Sequence, residues 1–245
     1  MMAPSPRRTL ITGAARPLGV ELVRHSLLRG DKVYAAARNP ARVPVLADLR
    51  AEFSGLELIA LDPADAASVA DVIPVLEGLT ESLDLLIVAP AEPGPHDRLV
   101  DATRDEALST LSGTGLVEHY RRHAVAPVLL VRTLLPWLTR GDRARILMVS
   151  TWLGSLAGKT QGGDYARCAS ATALHMLTRA LANDLADEGI TVCIGNPGNY
   201  ATTPDGPGFL VPIADAAQGL LSVTDRLPRD KSGGFFDWTG TERAW

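Results

Sequence analysis

The stretch that decides the fold is "RTLITGAARPLGVELVRHSLLRGDKVYAAAR", Arg8 to Arg38. It opens on a short apolar run and crosses a glycine-bearing turn. It continues as a helix, "PLGVELVRHSLLRG", that Gly30 ends, and returns as a second apolar run, "KVYAAAR". Buried parallel strands read as continuous apolar runs rather than as alternation. Strand, turn, helix and strand therefore predict a right-handed βαβ crossover. In the turn, Gly13 supplies a tight bend and Gly19 lets the helix pack closely on the strand. Such a turn presents free N–H groups and the positive end of the helix dipole to an anion, as in dinucleotide-binding units.

The same alternation continues down the chain. "ARVPVLADLRAEF" reads as a helix, "LELIALD" as a strand, "DAASVADVIPVLEGL" as a helix and "LDLLIVAP" as a strand. "ARILMVS" and "ITVCIGNP" follow, each after a long helical stretch. A repeated strand–helix order predicts a parallel sheet covered on both faces. The expectation is one α/β domain over residues 1–245, with no repeat and no linker. "TTPDGPGF" is the clear irregular loop, dense in turn residues.

Composition narrows the function classes. The chain has 245 residues, 24 basic and 28 acidic, for a net charge of −4. A nucleic-acid partner would call for a basic face, so none is expected. No run approaches the roughly 20 apolar residues of a membrane span. The start, "MMAPSPRR", leads at once into "TLITGAA" without a signal-type apolar run. Two cysteines, Cys168 and Cys193, are too few for a disulfide framework. The expected compartment is the reducing cytoplasm, and no metal is called for.

The end of the second strand bears on cofactor choice. A carboxylate there bonds the ribose 2′-OH of NAD, whereas arginine accommodates the 2′-phosphate of NADP. The chain reads Ala36-Ala37-Arg38, without an acid, and Arg16 stands in the phosphate turn. The pair favours NADP(H).

These features resemble the short-chain dehydrogenase/reductase family, whose loop is Thr-Gly-x-x-x-Gly-x-Gly. Here it reads Thr12-Gly13-Ala14-Ala15-Arg16-Pro17-Leu18-Gly19, with Pro17 in place of the middle glycine. The C-terminal "SGGFFDWTGTERAW" and the short segment after Pro197-Gly198 look most like the C-factor and sniffer-type carbonyl reductase branch. The resemblance implies a single Rossmann-type, doubly wound domain with a seven-stranded, mostly parallel sheet. It also implies cofactor contacts at Gly13, Leu18 and Gly19, at Asp62 and Pro63 beside the adenine, at Ala89, and at Pro197, Gly198 and Thr202 on the nicotinamide side. A homodimer or homotetramer is a further expectation, because the helix from Asp164 to Glu188 often pairs subunits in this family.

The family moves a hydride between nicotinamide and a carbonyl or alcohol. A Tyr-x-x-x-Lys pair on one helix face supplies the proton, since side chains four apart are neighbours. The ammonium favours tyrosinate. A serine or threonine holds the substrate oxygen; "MVSTWLG" offers Thr151 there, with Ser150 beside it. Tyr165 is the tyrosine at the start of the helix, but Ala169 stands where its lysine belongs. The family's spacing back from Pro197 lands instead on Arg167, with Ala171 in the lysine position. In that register Tyr165 is two residues out of place, about 200° around a helix. The family's Asn-Asn-Ala-Gly is Val88-Ala89-Pro90-Ala91, and its helix asparagine is His123.

His123 is an acid/base candidate because imidazole titrates near neutrality. Lys159 lies in the loop before the helix. Arg167 stays protonated and cannot act as a general acid, but in a pocket it suits a carboxylate or phosphate. Three functions remain open. One is a nucleotide- or anion-binding protein that has lost the standard chemistry. The second is an NADP(H)-dependent carbonyl reductase using Tyr165 or His123 with Thr151. The third is a non-redox enzyme in a reshaped pocket. The small-molecule ligand is accordingly a carbonyl compound or an anion.

Overall fold

The computed structural model describes residues 6–89, 108–201 and 210–245. Pro90, Ala91 and the whole of "TTPDGPGF", Thr202 included, lie outside these. Seven strands form one sheet in the order β3-β2-β1-β4-β5-β6-β9. They are β1 (Arg8–Ile11), β2 (Lys32–Ala37), β3 (Leu56–Ala60), β4 (Leu85–Val88), β5 (Arg145–Val149), β6 (Thr191–Asn196) and β9 (Phe235–Asp237). Every pairing is parallel. A separate two-stranded pair, β7 (Tyr200–Ala201) and β8 (Val211–Pro212), follows β6.

The helices cover both faces. Helices α1 (Pro17–Leu28), α2 (Pro44–Glu52) and α7 (Ile213–Arg226) bury Leu22, Val23, Leu46, Leu49 and Leu220 on one side. Helices α3 (Ala66–Leu79), α5 (Ala126–Leu138) and α6 (Tyr165–Asp184) bury Leu76, Leu130, Leu134 and Leu174 on the other. Double coverage is why β4 and β6 are buried along their whole length. The edge strand β3 breaks that pattern and ends exposed. On α6 Leu174 is buried, Leu177 and Leu181 pack against the same core, and so does buried Leu185 just past its end. Among the described residues no helix is long and apolar enough to cross a membrane.

Strand order reverses between β1 and β4. Ligands of open α/β sheets bind in the crevice beyond the strand C-termini at such a switch point. Opposite that crevice, the Arg8 guanidinium grips Asp84 through Nε–Oδ2 at 2.8 Å and Nη2–Oδ1 at 2.7 Å. This bidentate pair fixes the starts of β1 and β4 against each other.

Helix α4 (Gly113–Tyr120) runs into α5 through one π-helical turn, Arg121–Val125. The cause is local. Pro127 has no N–H to give to the carbonyl of His123 four residues earlier, so the regular ladder is interrupted there. Such widened turns are frequent at functional sites, and this one carries His123.

Candidate functional site

The crevice is built first by the turn after β1. The Thr12 amide donates to the Ile87 carbonyl at 2.9 Å. The Thr12 hydroxyl donates to the Ala89 carbonyl and accepts from the Ala89 amide, both at 3.1 Å. The ends of β1 and β4 are thereby locked together. Gly13 is left-handed, with φ of +64°, a conformation that costs glycine nothing. Its carbonyl accepts from the Arg16 amide at 2.9 Å and lies against Gly19, where an added Cβ would sit 2.1 Å from it.

Helix α1 starts at Pro17, and among the described residues no side chain caps it. Its first N–H groups are therefore available to an anion. Pro17 is exposed and Leu18 buried, so the proline occupies the one first-turn position where a missing N–H is tolerated. Arg38 is exposed immediately beyond β2. Asp62 accepts from the Ala64 amide at 3.0 Å, while its own amide donates to Ser68 Oγ at 2.8 Å; half-buried Pro63 follows. At the far end, Asn196 Oδ1 accepts from the Gly198 amide at 3.1 Å. Gly198 has φ of +74°, and the Trp238 indole lies 3.2 Å from where its Cβ would be. Buried Pro197 precedes it. The glycine cradle, the uncapped helix and the two arginines fit a dinucleotide phosphate backbone. Thr202 lies outside the described residues.

The other half of the site is the start of α6, which follows left-handed Asp164 at φ 52°. The buried face of α6 runs through Ser170, Ala171, Leu174, His175, Thr178 and Ala182. Successive residues turn by about 100°, so each position can be read around the axis. Ser170 faces α4, because its hydroxyl meets His119 Nδ1 at 3.0 Å. His175 faces the end of β5, because its Nε2 meets Ser150 Oγ at 2.9 Å. Arg167 lies between those two directions, about 60° from one and 80° from the other. Ala171 sits one turn below it, 6 % exposed. Tyr165 shares the opposite stripe with exposed Ala169 and with Met176, which is 67 % exposed.

Among the described residues no hydrogen bond joins the Tyr165 hydroxyl to Ser150 or Thr151. Lys159 is exposed and donates to the Gly163 carbonyl at 2.9 Å, with its Nζ 3.3 Å from Cys168 Sγ. Arg167 pairs with Asp164 at 3.3 Å. Thr151 is the half-buried residue two beyond β5, and its oxygen accepts from the Leu153 amide at 3.3 Å.

Three histidines line or underpin this half. His119 and His123 stack with ring centroids 4.2 Å apart. Burial pushes the His123 imidazole down to about 4, helped by the nearby His119, Arg122 and Arg167. Arg167 is thus near enough for its charge to bear on His123. Burial alone pushes His175 down to about 4; it is 1 % exposed. Among the described residues its Nδ1 has no hydrogen-bond partner, and the ring packs against Gly154 and against Phe235, centroid to centroid at 4.5 Å.

Sequence reasoning singled out Ser150, Thr151, Tyr165, Arg167 and His123, but not His119, Ser170, Asn196 or Trp238. The bond between His175 and Ser150 was likewise not among the sequence expectations. The i, i+4, i+8 spacing of Arg167, Ala171 and His175 was the available signal for His175. Nothing local announces the contacts of Trp238, which come from the last strand.

A parallel doubly wound sheet with a glycine turn at its switch point defines the Rossmann class of α/β proteins. Within it, the chain belongs to the short chain dehydrogenase family, whose model matches residues 7–206. It is similar to the C-signal protein of Myxococcus xanthus, 35 % identical over 139 residues, or 57 % of this chain and 84 % of that one. Its structure resembles the NADPH-bound carbonyl reductase from chicken fatty liver, with a TM-score of 0.83 and 26 % identity over 98 % of this chain and 99 % of that one. It also resembles the carbonyl reductase Sniffer of D. melanogaster, with a TM-score of 0.85 and 25 % identity over 98 % and 100 % of the two chains.

Proposed function

We propose that this protein binds NADP(H) and that the family's tyrosine–lysine proton relay is replaced in it, so that standard carbonyl reductase turnover is lost or altered. The carrying observation is the orientation of α6. Around the helix axis Arg167 and Ala171 fall between Ser170 and His175, while Tyr165 and Ala169 fall on the stripe of exposed Met176. A guanidinium does not give up a proton at working pH. His123, held down to about 4, is a neutral base near pH 7 rather than a proton donor.

NADP(H) rather than NAD(H) is supported by Arg16 and Arg38 and by the absence of an acid at the end of β2. It is supported too by the NADPH bound in the similar chicken reductase. In this reading the first turn of α1, from Leu18 and Gly19, holds the pyrophosphate, Arg38 and Arg16 hold the 2′-phosphate, and Asp62 flanks the adenine. Pro197 and Gly198 bracket the nicotinamide, the group that carries a hydride when bound. Thr151 orients the ligand oxygen.

The competing reading is an active oxidoreductase using Tyr165 or His123 with Thr151. In its favour, Tyr165 is half-buried and directly follows a left-handed residue. Free Cys168 and Cys193 support a reducing, cytoplasmic setting. Exposed Leu129 and Met176, on α5 and α6, support self-association as a homodimer or homotetramer.

Two assays test this reading. In a fluorescence titration NADPH is expected to bind in the micromolar range and more tightly than NADH. Arg38→Ala is expected to weaken NADPH roughly 10-fold or more, the worth of charge-assisted hydrogen bonds, and to leave NADH unchanged. Equal affinity for the two nucleotides removes the NADP(H) assignment. NADPH oxidation over a panel of aldehydes, ketones and quinones is expected to stay near the uncatalysed rate. Turnover abolished by Tyr165→Phe or His123→Ala establishes the competing reading.

A further inference from the structure

We infer that Trp238 is a positioning residue for the nicotinamide side of the site, and that the segment from Trp238 to Trp245 is a strap that holds it there. The inference rests on the reading that Pro197 and Gly198 bracket the nicotinamide.

The turn after β6 is supported from within and from outside. Within it, Gly198 is left-handed at φ +74°, and its amide donates to Asn196 Oδ1 at 3.1 Å. From outside, an edge of the Trp238 indole stands against it. A Cβ on Gly198 would lie 3.2 Å from both Cδ1 and Nε1 of that ring, and 3.5 Å from Val211 Cγ2. The far end of the indole rests on α7, where a Cβ on Gly219 would lie 3.0 Å from Cε3. The ring is thus wedged between the turn and the helix. Glycine at both places lets the indole approach the backbone this closely.

The wedge is held by the chain that follows β9. Asp237 Oδ1 accepts from the Thr239 and Thr241 amides, both at 3.0 Å, and so turns the chain back. The Asp237 amide then donates to the Thr241 carbonyl at 2.9 Å, and the Arg243 amide to the Phe235 carbonyl at 2.7 Å. The returning segment thereby pairs with β9, the edge strand. Its two tryptophans end on opposite faces of the sheet. Trp238 packs with the core under α1, α2 and α7, and Trp245 with the core under α3, α5 and α6. Trp245 is fastened there: its main-chain oxygen accepts from the Ala157 amide at 2.8 Å, and the Arg179 guanidinium lies 5.2 Å from its ring centroid.

The adenine half of the site is remote from this wedge. Arg38 follows β2, which stands five steps from β9 in the strand order. At about 4.8 Å per step that is roughly 24 Å. Loss of the indole can therefore loosen the nicotinamide-side turn and leave the adenine half in place. A general loss of structure would reach both.

The test is calorimetric titration of the full chain at pH 7.5 with NADPH and with adenosine 2′,5′-bisphosphate, which carries the adenine half alone. Trp238→Ala is expected to weaken NADPH about tenfold, the cost of ordering a turn that is no longer held in place. The bisphosphate affinity is expected to stay within about twofold. Trp238→Phe, which keeps a ring on Gly219, falls between. Trp245→Ala, which frees the far end of the strap, shifts NADPH the same way by less. A second measurement needs no variant: in the wild type, hydrogen exchange of residues 238–245 is expected to slow with NADPH and not with the bisphosphate.

An NADPH affinity indifferent to Trp238→Ala overturns the inference, and so does an equal weakening of both ligands. Exchange in the strap that NADPH leaves unchanged, or that both ligands slow alike, overturns it as well. These results leave NADP(H) binding itself standing. A wild-type chain that binds neither ligand fails at the earlier level, and removes the NADP(H) reading together with this one.

Discussion

Gly19→Ala is expected to cost the protein about 3 kcal/mol or more of stability, the upper range for forcing atoms into a filled space. The added Cβ would lie 2.1 Å from the Gly13 carbonyl oxygen, 2.8 Å from its carbon and 2.9 Å from Ala14 Cα. All three are backbone atoms, so no side chain can swing aside. The Gly13 carbonyl is itself held by the Arg16 amide at 2.9 Å, and the next residues are tied to β2 through the Ala14 amide and the Ala36 carbonyl at 3.1 Å. Relief therefore means moving α1 off the sheet, where it buries Leu22 and Val23.

For a chain of this size, that loss lowers the melting temperature by about 6–12 °C. The same displacement opens the turn that would hold a pyrophosphate, so NADPH binding should weaken beyond detection. Differential scanning fluorimetry and a NADPH titration measure both. A Gly19→Ala protein that melts within about 2 °C of the wild type would show that helix and turn are not in this close contact, since each kcal/mol moves the midpoint by about that much.

Acidification is expected to have an effect of similar size. His175 is 1 % exposed and held down to about 4 by burial, whereas in the unfolded chain a histidine titrates near 6.5. The folded pKa is depressed, so the unfolded state binds the proton first. Stability is fully present above pH 6.5 and is lost as pH falls toward 4. The loss is about 2 kcal/mol by pH 5 and about 3 kcal/mol by pH 4. His123 shifts in the same direction and over the same window, with a smaller contribution because it is only half-buried and partly screened by solvent.

Against a total stability of roughly 5–15 kcal/mol, two such sites bring unfolding into the mildly acidic range. Urea titrations at pH 7.5 and pH 5 measure the difference. His175→Gln keeps a hydrogen-bonding side chain opposite Ser150 but does not titrate. It should be less stable at pH 7.5 and flatter with pH. Wild-type unfolding midpoints that coincide at the two pH values would contradict the burial of a neutral imidazole under Gly154.

The parts of the fold legible from sequence are those with local causes. The β1–α1–β2 unit follows from apolar runs broken by Gly13 and Gly30, and the structure gives strands at Arg8–Ile11 and Lys32–Ala37 around Pro17–Leu28. The register of α6 was read from the family's spacing back from Pro197, and Ala171, Leu174, Thr178 and Ala182, at helical spacing, are all buried. The same helix stops at Asp184, short of Glu188. The chain turns back there, with the Ile190 amide on the Leu185 carbonyl at 3.2 Å and Gly189 at φ +71°. The seventh strand is only Phe235–Asp237, too short to carry a period, and its expectation came from family resemblance.

At the site, the residues missed are joined across the chain. Ser150 and His175 are 25 positions apart, and His119 and Ser170 are 51. No periodicity links such pairs; the sheet and the helix crossing bring them together. The π turn at His123 had a visible cause in Pro127, yet proline near a helix start reads equally well as a first-turn residue.

The central claim is that the α6 face toward the cleft carries Arg167 and not a working tyrosine. It is tested most directly by the rate of hydride transfer from NADPH to a reactive quinone, compared between wild type and Tyr165→Phe. The account predicts rates that agree within about twofold, because a phenol on the stripe of Met176 has no proton to give in the cleft. A fall of about 10²-fold or more in Tyr165→Phe, the usual cost of losing a positioned acid/base, would contradict it.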